Sequence, residues 1–362
     1  MGIDSLPRGS VVGILGGGQL GRMLAMAAAR LGFKTHVYSP AGDNPAFAVA
    51  HAITQAGFDD EAALKTFAGT CDAVTYEWEN VPVDVCDLIE TDCPVRPGAD
   101  VLRISQDRIA EKTFVSGLGI AVPDFHPAGT LAELEEAVAQ IGRPCVLKTR
   151  RFGYDGKGQT RIKDDTNLAD AWAAIDGQAA IVEAFVPFDR EISVIAARGL
   201  DGTIASFDIP QNLHENGVLR SSTVPAQLKS RTAGQAREIA STLLESLNYT
   251  GVMAVELFVS SRGGTESLMV NEIAPRVHNS GHWTEAACHV SQFEQHIRAV
   301  AGWPLGDTRR NCDCVMENLL GDEIFACPEL AALPGAVVHD YGKATSRDGR
   351  KMGHVTRLLL RK

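Results

Sequence analysis

Residues 144–159 read Pro-Cys-Val-Leu-Lys-Thr-Arg-Arg-Phe-Gly-Tyr-Asp-Gly-Lys-Gly-Gln. The apolar run at 144–149 predicts a strand, with Lys148 near its end. Gly153, Gly156 and Gly158 follow and let backbone amides approach an anion closely. Lys157 sits among them. Two lysines around a glycine loop suit a triphosphate. No G-K-[ST] opens a helix here, so the loop is not a P-loop. The competing reading is an ordinary charged hairpin.

Moving toward the C-terminus, residues 181–186 read Ile-Val-Glu-Ala-Phe-Val. Alone this is a buried strand. Placed after a glycine loop, an extended edge with free backbone groups can receive an adenine, with Glu183 and Glu191 accepting from its amino group or from ribose. Glu256 lies in an apolar strand, where an acid is costly unless it is paired or binds metal. A hairpin turn at 261–264 brings this strand beside 267–272, so Glu256 and Glu272 can converge. Asn271 and Glu272 are expected at a strand end, followed by Pro275, Arg276, His278, Asn279, Ser280 and His282. Hard oxygen donors suit Mg²⁺, and a nearby guanidinium suits a planar anion. The competing reading pairs both acids with lysine or arginine.

Toward the N-terminus, a strand at 10–15 leads into Gly16-Gly17-Gly18-Gln19-Leu20-Gly21 and a helix over 22–31 that ends at Gly32. Strands at 33–38 and 73–76 complete a doubly wound parallel α/β unit. Gly16, Gly18 and Gly21 satisfy G-x-G-x-x-G, which permits an NAD-binding oxidoreductase or sensor. The acid expected on the ribose is missing, because the second strand ends at Ser39-Pro40 and Asp43 lies beyond. Four regions are expected: an α/β domain over 1–105, a lid over 106–186, a central domain over 187–303 and a β-rich tail over 304–362. The chain has 362 residues, 45% of them hydrophobic and 22% charged, with a formal net charge of −11. That balance argues against broad nucleic-acid or anionic-membrane binding. The eight cysteines form no C-x-x-C pair and read as reduced, small hydrophobes. No apolar run is long enough to span a bilayer, and no targeting segment is recognised, so the expected location is the cytoplasm.

Lys148, the glycine loop, Glu183, Glu191, Glu256 and Asn271-Glu272 resemble, in order and context, the ATP-grasp superfamily. Residues 16–23, 76–82, 271–284 and the tail 341–354 are similar to the N5-carboxyaminoimidazole ribonucleotide synthetases within it. The resemblance implies an ATP-grasp fold, α/β and α+β, with a doubly wound pre-ATP-grasp domain. It implies carboxylation of 5-aminoimidazole ribonucleotide at its exocyclic amine by ATP and bicarbonate through carboxyphosphate, with Mg²⁺, in a homodimer. By match, ATP is expected on Arg108, Lys148, Gly153, Tyr154, Asp155, Gly156, Lys157, Gly158, Gln159, Glu183, Ala184, Phe185, Val186, Glu191, His214, Asn271 and Glu272. Glu256 and Glu272 are the implied metal ligands. Arg276, His278, Asn279 and Asp155 are the implied catalytic group. Gln19, Leu20, Glu77, Tyr154, Lys343 and Arg350 are expected to bind the ribonucleotide. A formate-dependent glycinamide ribonucleotide transformylase, or another ATP-grasp ligase, is the nearest alternative.

Overall fold

The computed structural model describes residues 5–153 and 156–359. Three sheets organise them. The first is parallel, with Ala52–Gln55, Lys34–Ser39, Val11–Leu15 and Ala73–Tyr76 in that spatial order. Its strand order reverses between Val11–Leu15 and Ala73–Tyr76. Open α/β sheets place ligands at such a point, outside the carboxyl ends of the strands.

Helix Gln19–Arg30 follows the first strand and turns Leu20, Met23, Leu24, Ala27 and Ala28 inward, the spacing of one helix face. It starts three residues earlier than its sequence pattern predicts. The Glu77 carboxylate supplies the reason: it accepts from Gly18 N at 2.8 Å and Gly21 N at 3.4 Å, pairing amides that a helix start otherwise leaves free. The helix ends as expected, with Gly32 just beyond it at φ +82, a conformation that favours glycine.

The lid is an antiparallel sheet ordered Phe125–Ala128, Ala180–Ala184, Cys145–Thr149 and Gln159–Ile162. Helices Leu131–Ile141 and Leu168–Ala173 cover it, and Leu134, Val138, Leu147 and Val182 form its own core. The third sheet runs Thr265–Ala274, Gly251–Arg262, Arg190–Arg198, Gln211–Glu215, Val218–Val224, Asp313–Leu320, Lys351–Leu359 and Ala336–Asp340, with Ile204–Ser206 beside Arg190–Arg198. The β-rich tail is thus continuous with the central sheet through the pairing of Val218–Val224 with Asp313–Leu320.

Two cores cover the faces of this sheet. On one, helix Ser230–Ser246 packs Ala236, Ala240, Leu243 and Leu244 against Ile192, Val194, Val255 and Leu257. On the other, helix Gln292–Val300 and helix Gln19–Arg30 share one cluster that includes Leu24, Ile195, Val252, Phe293 and Met316. His296 adds a polar tie between the sheets, 2.7 Å from Thr75 Oγ1 and accepting at Nδ1 from Val252 N. The first and third sheets are therefore joined by a shared interior, and residues at their junction have fixed relative positions.

Candidate active site

Strand Gly251–Arg262 pairs with Thr265–Ala274 through a two-residue Gly263-Gly264 turn, both glycines at positive φ. That is the backbone a tight hairpin needs. Pairing runs Glu256 with Glu272, then Leu257 with Val270. Asn271 is the extra residue of a β-bulge, a device that re-aims a side chain. Asn271 and Glu272 therefore lie inside a continuing strand, not at a strand end as the sequence suggested. On its other side Glu256 is in register with Ser193 of Arg190–Arg198. Glu272, Glu256 and Ser193 form a row on one face of the sheet, the face that lies toward the parallel domain.

The two carboxylates have different surroundings. Burial, then the Glu272 charge, push the Glu256 carboxyl up to about 7. Burial also opposes ionisation of Glu272, but the Arg108 guanidinium and the Lys148 ammonium hold it down at about 2. Arg108 Nη1 reaches Glu272 Oε2 at 3.2 Å. The Glu272 side chain keeps 39% of its surface open, against 11% for Glu256. Asn271 Oδ1 is buried with no hydrogen-bond partner. An orphaned amide oxygen on the residue next to Glu272, which pairs with Glu256, offers a hard-oxygen donor set that fits a small divalent cation.

On the nucleotide side, Lys148 Nζ donates to Glu183 Oε2 at 2.8 Å, and Lys112 Nζ lies 3.6 Å from Glu183 Oε1. The Glu183 carboxylate is buried and held ionised by these lysines. It holds the two ammonium groups, and its Oε1 is buried with no hydrogen-bond partner. Strand Ala180–Ala184 is also interior to the lid sheet, paired on both sides. Ala184 N donates to Asp124 O and Phe185 N to Pro144 O, so the free edge expected at 183–186 begins only at Val186. The Arg161 guanidinium covers the Phe185 ring at 3.8 Å. Glu191 and His214 form a pair, His214 Nδ1 to Glu191 Oε2 at 2.6 Å. In the glycine loop, Gly156 and Gly158 have φ of +74 and +70. A Cβ on Gly158 would meet Thr149 Oγ1 at 2.6 Å. Tyr154 and Asp155, assigned to ATP, catalysis and substrate, lie outside the described residues.

On the opposite side, the segment after Pro275 is tied down by Gln292. Its side chain accepts from His278 N at 2.9 Å and donates to His278 O at 2.7 Å. A Cβ on Gly281 would meet Gln292 Oε1 at 2.6 Å, so glycine is needed for this fit. Arg276 pairs with Glu79 at 2.7 Å. His278 presents Nε2 to Glu256 Oε1 at 3.2 Å. Asn279 is different: it exchanges amide hydrogen bonds with Asn318 at 2.9 and 2.7 Å. This reciprocal pair braces the turn against strand Asp313–Leu320.

The parallel domain contributes Glu77, whose environment includes the Arg276 and Lys343 charges. The amides that a dinucleotide pyrophosphate would use are donated to this carboxylate, which removes the basis for the NAD reading. The Leu20 side chain is buried in the core, while Gln19 lies at the helix start beside it. Lys343 Nζ donates to Lys351 O at 2.6 Å, and burial, then Arg350, bring its ammonium down to about 8. Arg350 pairs with Asp43 at 2.9 Å.

Three participants were missed in the sequence. Lys112 donates to Asn271 O at 2.6 Å and links the lid to the bulge. Glu111 accepts from Ile273 N at 3.3 Å, and burial pushes its carboxyl up to about 8. Their signal was available: Arg108, Glu111, Lys112 and Val115 share one helix stripe, and an inward stripe carrying charges asks for partners. Lys351 is the third; its charge acts on Glu256, His278 and His214. A separate group, Glu285, His339 and His354, brings ligand atoms within 4.8 Å of one another. Within it His339 Nδ1 pairs with Glu285 and His354 Nδ1 with Tyr341, and the two imidazoles stack.

Comparison with known proteins places three family models along the chain. They are a ribonucleotide synthetase preATP-grasp domain over residues 10–106, an ATP-grasp domain over 113–293 and a phosphoribosylaminoimidazole carboxylase C-terminal domain over 314–360. The chain is 51% identical over 356 residues to the N5-carboxyaminoimidazole ribonucleotide synthase of Brucella melitensis, covering 98% of each. It is similar to the Staphylococcus aureus N5-carboxyaminoimidazole synthetase solved with ADP, at 36% identity and TM-score 0.93, covering 99% of this chain and 95% of that one. It is also similar to the Aspergillus clavatus enzyme solved with ADP and 5-aminoimidazole ribonucleotide, at 28% identity and TM-score 0.90, covering 97% and 94%.

Proposed function

This chain belongs to the N5-carboxyaminoimidazole ribonucleotide synthase family and is an ATP-dependent ligase of purine biosynthesis, and from that premise we propose how its residues divide the reaction. A bicarbonate oxygen attacks the γ-phosphorus of ATP, and ADP leaves. The amine nitrogen of 5-aminoimidazole ribonucleotide then bonds to the carboxyl carbon of carboxyphosphate. The C–O bond to phosphate breaks, and the amine gives up a proton. The observation that carries this reading is the position of the Glu256–Glu272 pair. It has Arg108 and Lys148 on one side and Arg276, His278 and Lys351 on the other.

Lys148, held by Glu183, and Arg108 bind the triphosphate, with the amides of the glycine loop around it. Glu191 and His214 serve the nucleoside end. Asn271, Glu272 and Glu256 would hold Mg²⁺, which would supply neutralisation of charge on the phosphoryl oxygens. Arg276 orients bicarbonate and then the carboxyl group, because its planar fork matches two oxygens. Glu79 aims that fork. Lys343 and Arg350 take the ribonucleotide phosphate, and Glu77 lies between them and Arg276. The enzyme works in the cytoplasm as a homodimer; light scattering after size exclusion should give twice the chain mass. Among the described residues, no helix is long and apolar enough to cross a membrane.

The test is ADP release. It is expected with 5-aminoimidazole ribonucleotide and bicarbonate, and not with glycinamide ribonucleotide and formate. The reverse pattern would assign the chain to the transformylase chemistry instead.

A further inference from the structure

His278 is the innermost end of a hydrogen-bond chain that runs across three strands. Ser222 Oγ donates to Asn212 Oδ1 at 2.8 Å, and Asn212 Nδ2 donates to Ser193 Oγ at 3.1 Å. Ser193 Oγ lies 2.6 Å from Ser280 Oγ, which lies 2.8 Å from His278 Nδ1. Ser193, Ser222 and Ser280 are fully buried and Asn212 is nearly so. Strand register builds the chain: Asn212 is opposite Ser222, and Ser193 is opposite Glu256.

An amide NH₂ can only donate, so Ser193 Oγ accepts from Asn212, but a second lone pair on that oxygen leaves its bond to Ser280 undirected. The ring end supplies the direction. Ser280 N donates to His278 Nδ1 at 3.3 Å, and a backbone N–H has no acceptor form. This puts the lone pair on Nδ1, so the Ser280 proton also goes to Nδ1 and Ser193 donates to Ser280. The neutral ring then carries its proton on Nε2, the nitrogen that faces Glu256 Oε1 at 3.2 Å.

We propose that Ser280, Ser193 and Asn212 are positioning residues that lock His278 in the Nε2–H tautomer and aim that proton at the carboxylate and carboxyl-transfer site. The functional part of this proposal rests on the reaction assigned above. In this tautomer His278 donates at Nε2 and accepts nothing there. It therefore takes up no proton at Nε2, and the amine proton leaves by another group.

The tautomer can be read without substrate, from ¹⁵N–¹H correlations of the ¹⁵N-histidine-labelled full chain, with His278→Gln assigning the signal. Expected is an unprotonated Nδ1 and a protonated Nε2. Ser193→Ala breaks the chain one residue away from any contact with His278, and Ser280→Ala breaks it at the ring. Both should move the His278 nitrogens toward a mixed tautomer. Both should lower kcat at least fivefold while KM for ATP stays within twofold. Thermal melts identify a variant that fails to fold, and in that case the wild-type spectrum alone decides. A protonated Nδ1 in the wild type overturns the proposal, as do folded variants with unchanged spectra and kcat. If the spectra move as expected while wild type shows no ADP release with aminoimidazole ribonucleotide and bicarbonate, the reaction assignment fails and the lock stands.

Discussion

At the scale of single residues, the site is a set of charges whose partners decide their state. Lys112 has almost no solvent exposure and faces both Glu183 and Asn271 O. Removing one member of a buried ion pair costs about 3–5 kcal/mol, because the remaining charge has lost its compensation. Lys112→Met should lower unfolding free energy by that order in urea titration and raise KM for ATP, since Lys148 would then hold Glu183 alone. Glu256→Gln keeps the shape and removes the charge. It should lower kcat at least a hundredfold at saturating Mg²⁺ and ATP, and wild-type turnover there would remove Glu256 from the metal set. Lys343 gives a pH signature. Its ammonium titrates at about 8, so it is charged at pH 7 and loses its proton as pH rises through 8. KM for the ribonucleotide should therefore rise above pH 8 in the wild type. In Lys343→Ala it should be high and flat across the same range. The candidate charges themselves were legible in the sequence as residue types out of place in apolar strands. Their pairing was not: Glu183 went to two lysines and Asn279 to Asn318, partners that lie on other elements.

Elements impose their own constraints, mainly where backbone approaches backbone. Glycine at position 21 lies on the inward face of the first helix, and a Cβ there would come within 2.9 Å of Gly16 O. Neither atom belongs to a flexible side chain. Gly21→Ala should therefore displace the glycine turn from Glu77 and destabilise the protein by about 1–3 kcal/mol, the usual range for overpacking. A melting-temperature comparison with Gly234→Ala measures this against an open helical position, where nothing lies within 4 Å of the new methyl. At this scale the sequence was most informative. The strand Ala73–Tyr76 and the helix Leu131–Ile141 fall where their patterns place them. Both are delimited by local signals, the helix by the Thr130 side chain accepting from Glu133 N at its start. The misplaced boundaries are those set by a distant group. Helix Gln19–Arg30 begins early because Glu77 reaches it across the switch point, and the 265–274 strand runs past Glu272 because the bulge lets pairing continue to Ala274.

For the whole molecule, buried histidines weaken the folded state in acid. His278 and His282 are held well below their ordinary value by burial, and His296 and His354 at about 3. The unfolded chain takes up these four protons near pH 6.5 while the folded chain does not, so stability falls as pH drops below that value. Each contributes a slope of about 1.4 kcal/mol per pH unit. The raised carboxyls of Glu77, Glu90, Glu111 and Glu256, and the raised His214, act in the opposite sense, so the histidine part is read as a difference between variants. In denaturant titrations between pH 6.5 and 5, His354→Gln should lose less unfolding free energy on acidification than the wild type; equal losses would mean that this histidine is solvated. By itself, the sequence determined the strand–glycine–helix units, the order of the site segments along the chain and the residue types able to bind phosphate and metal. Those follow from short-range periodicity, glycine backbone freedom and side-chain chemistry. Only the tertiary structure decided that Glu77 fills the first glycine loop, that Lys112 bridges lid and bulge, and that a buried serine–asparagine chain reaches His278. Hydrogen bonds and ion pairs form between groups that are close in space, and packing two sheets on one core brings together atoms far apart along the chain.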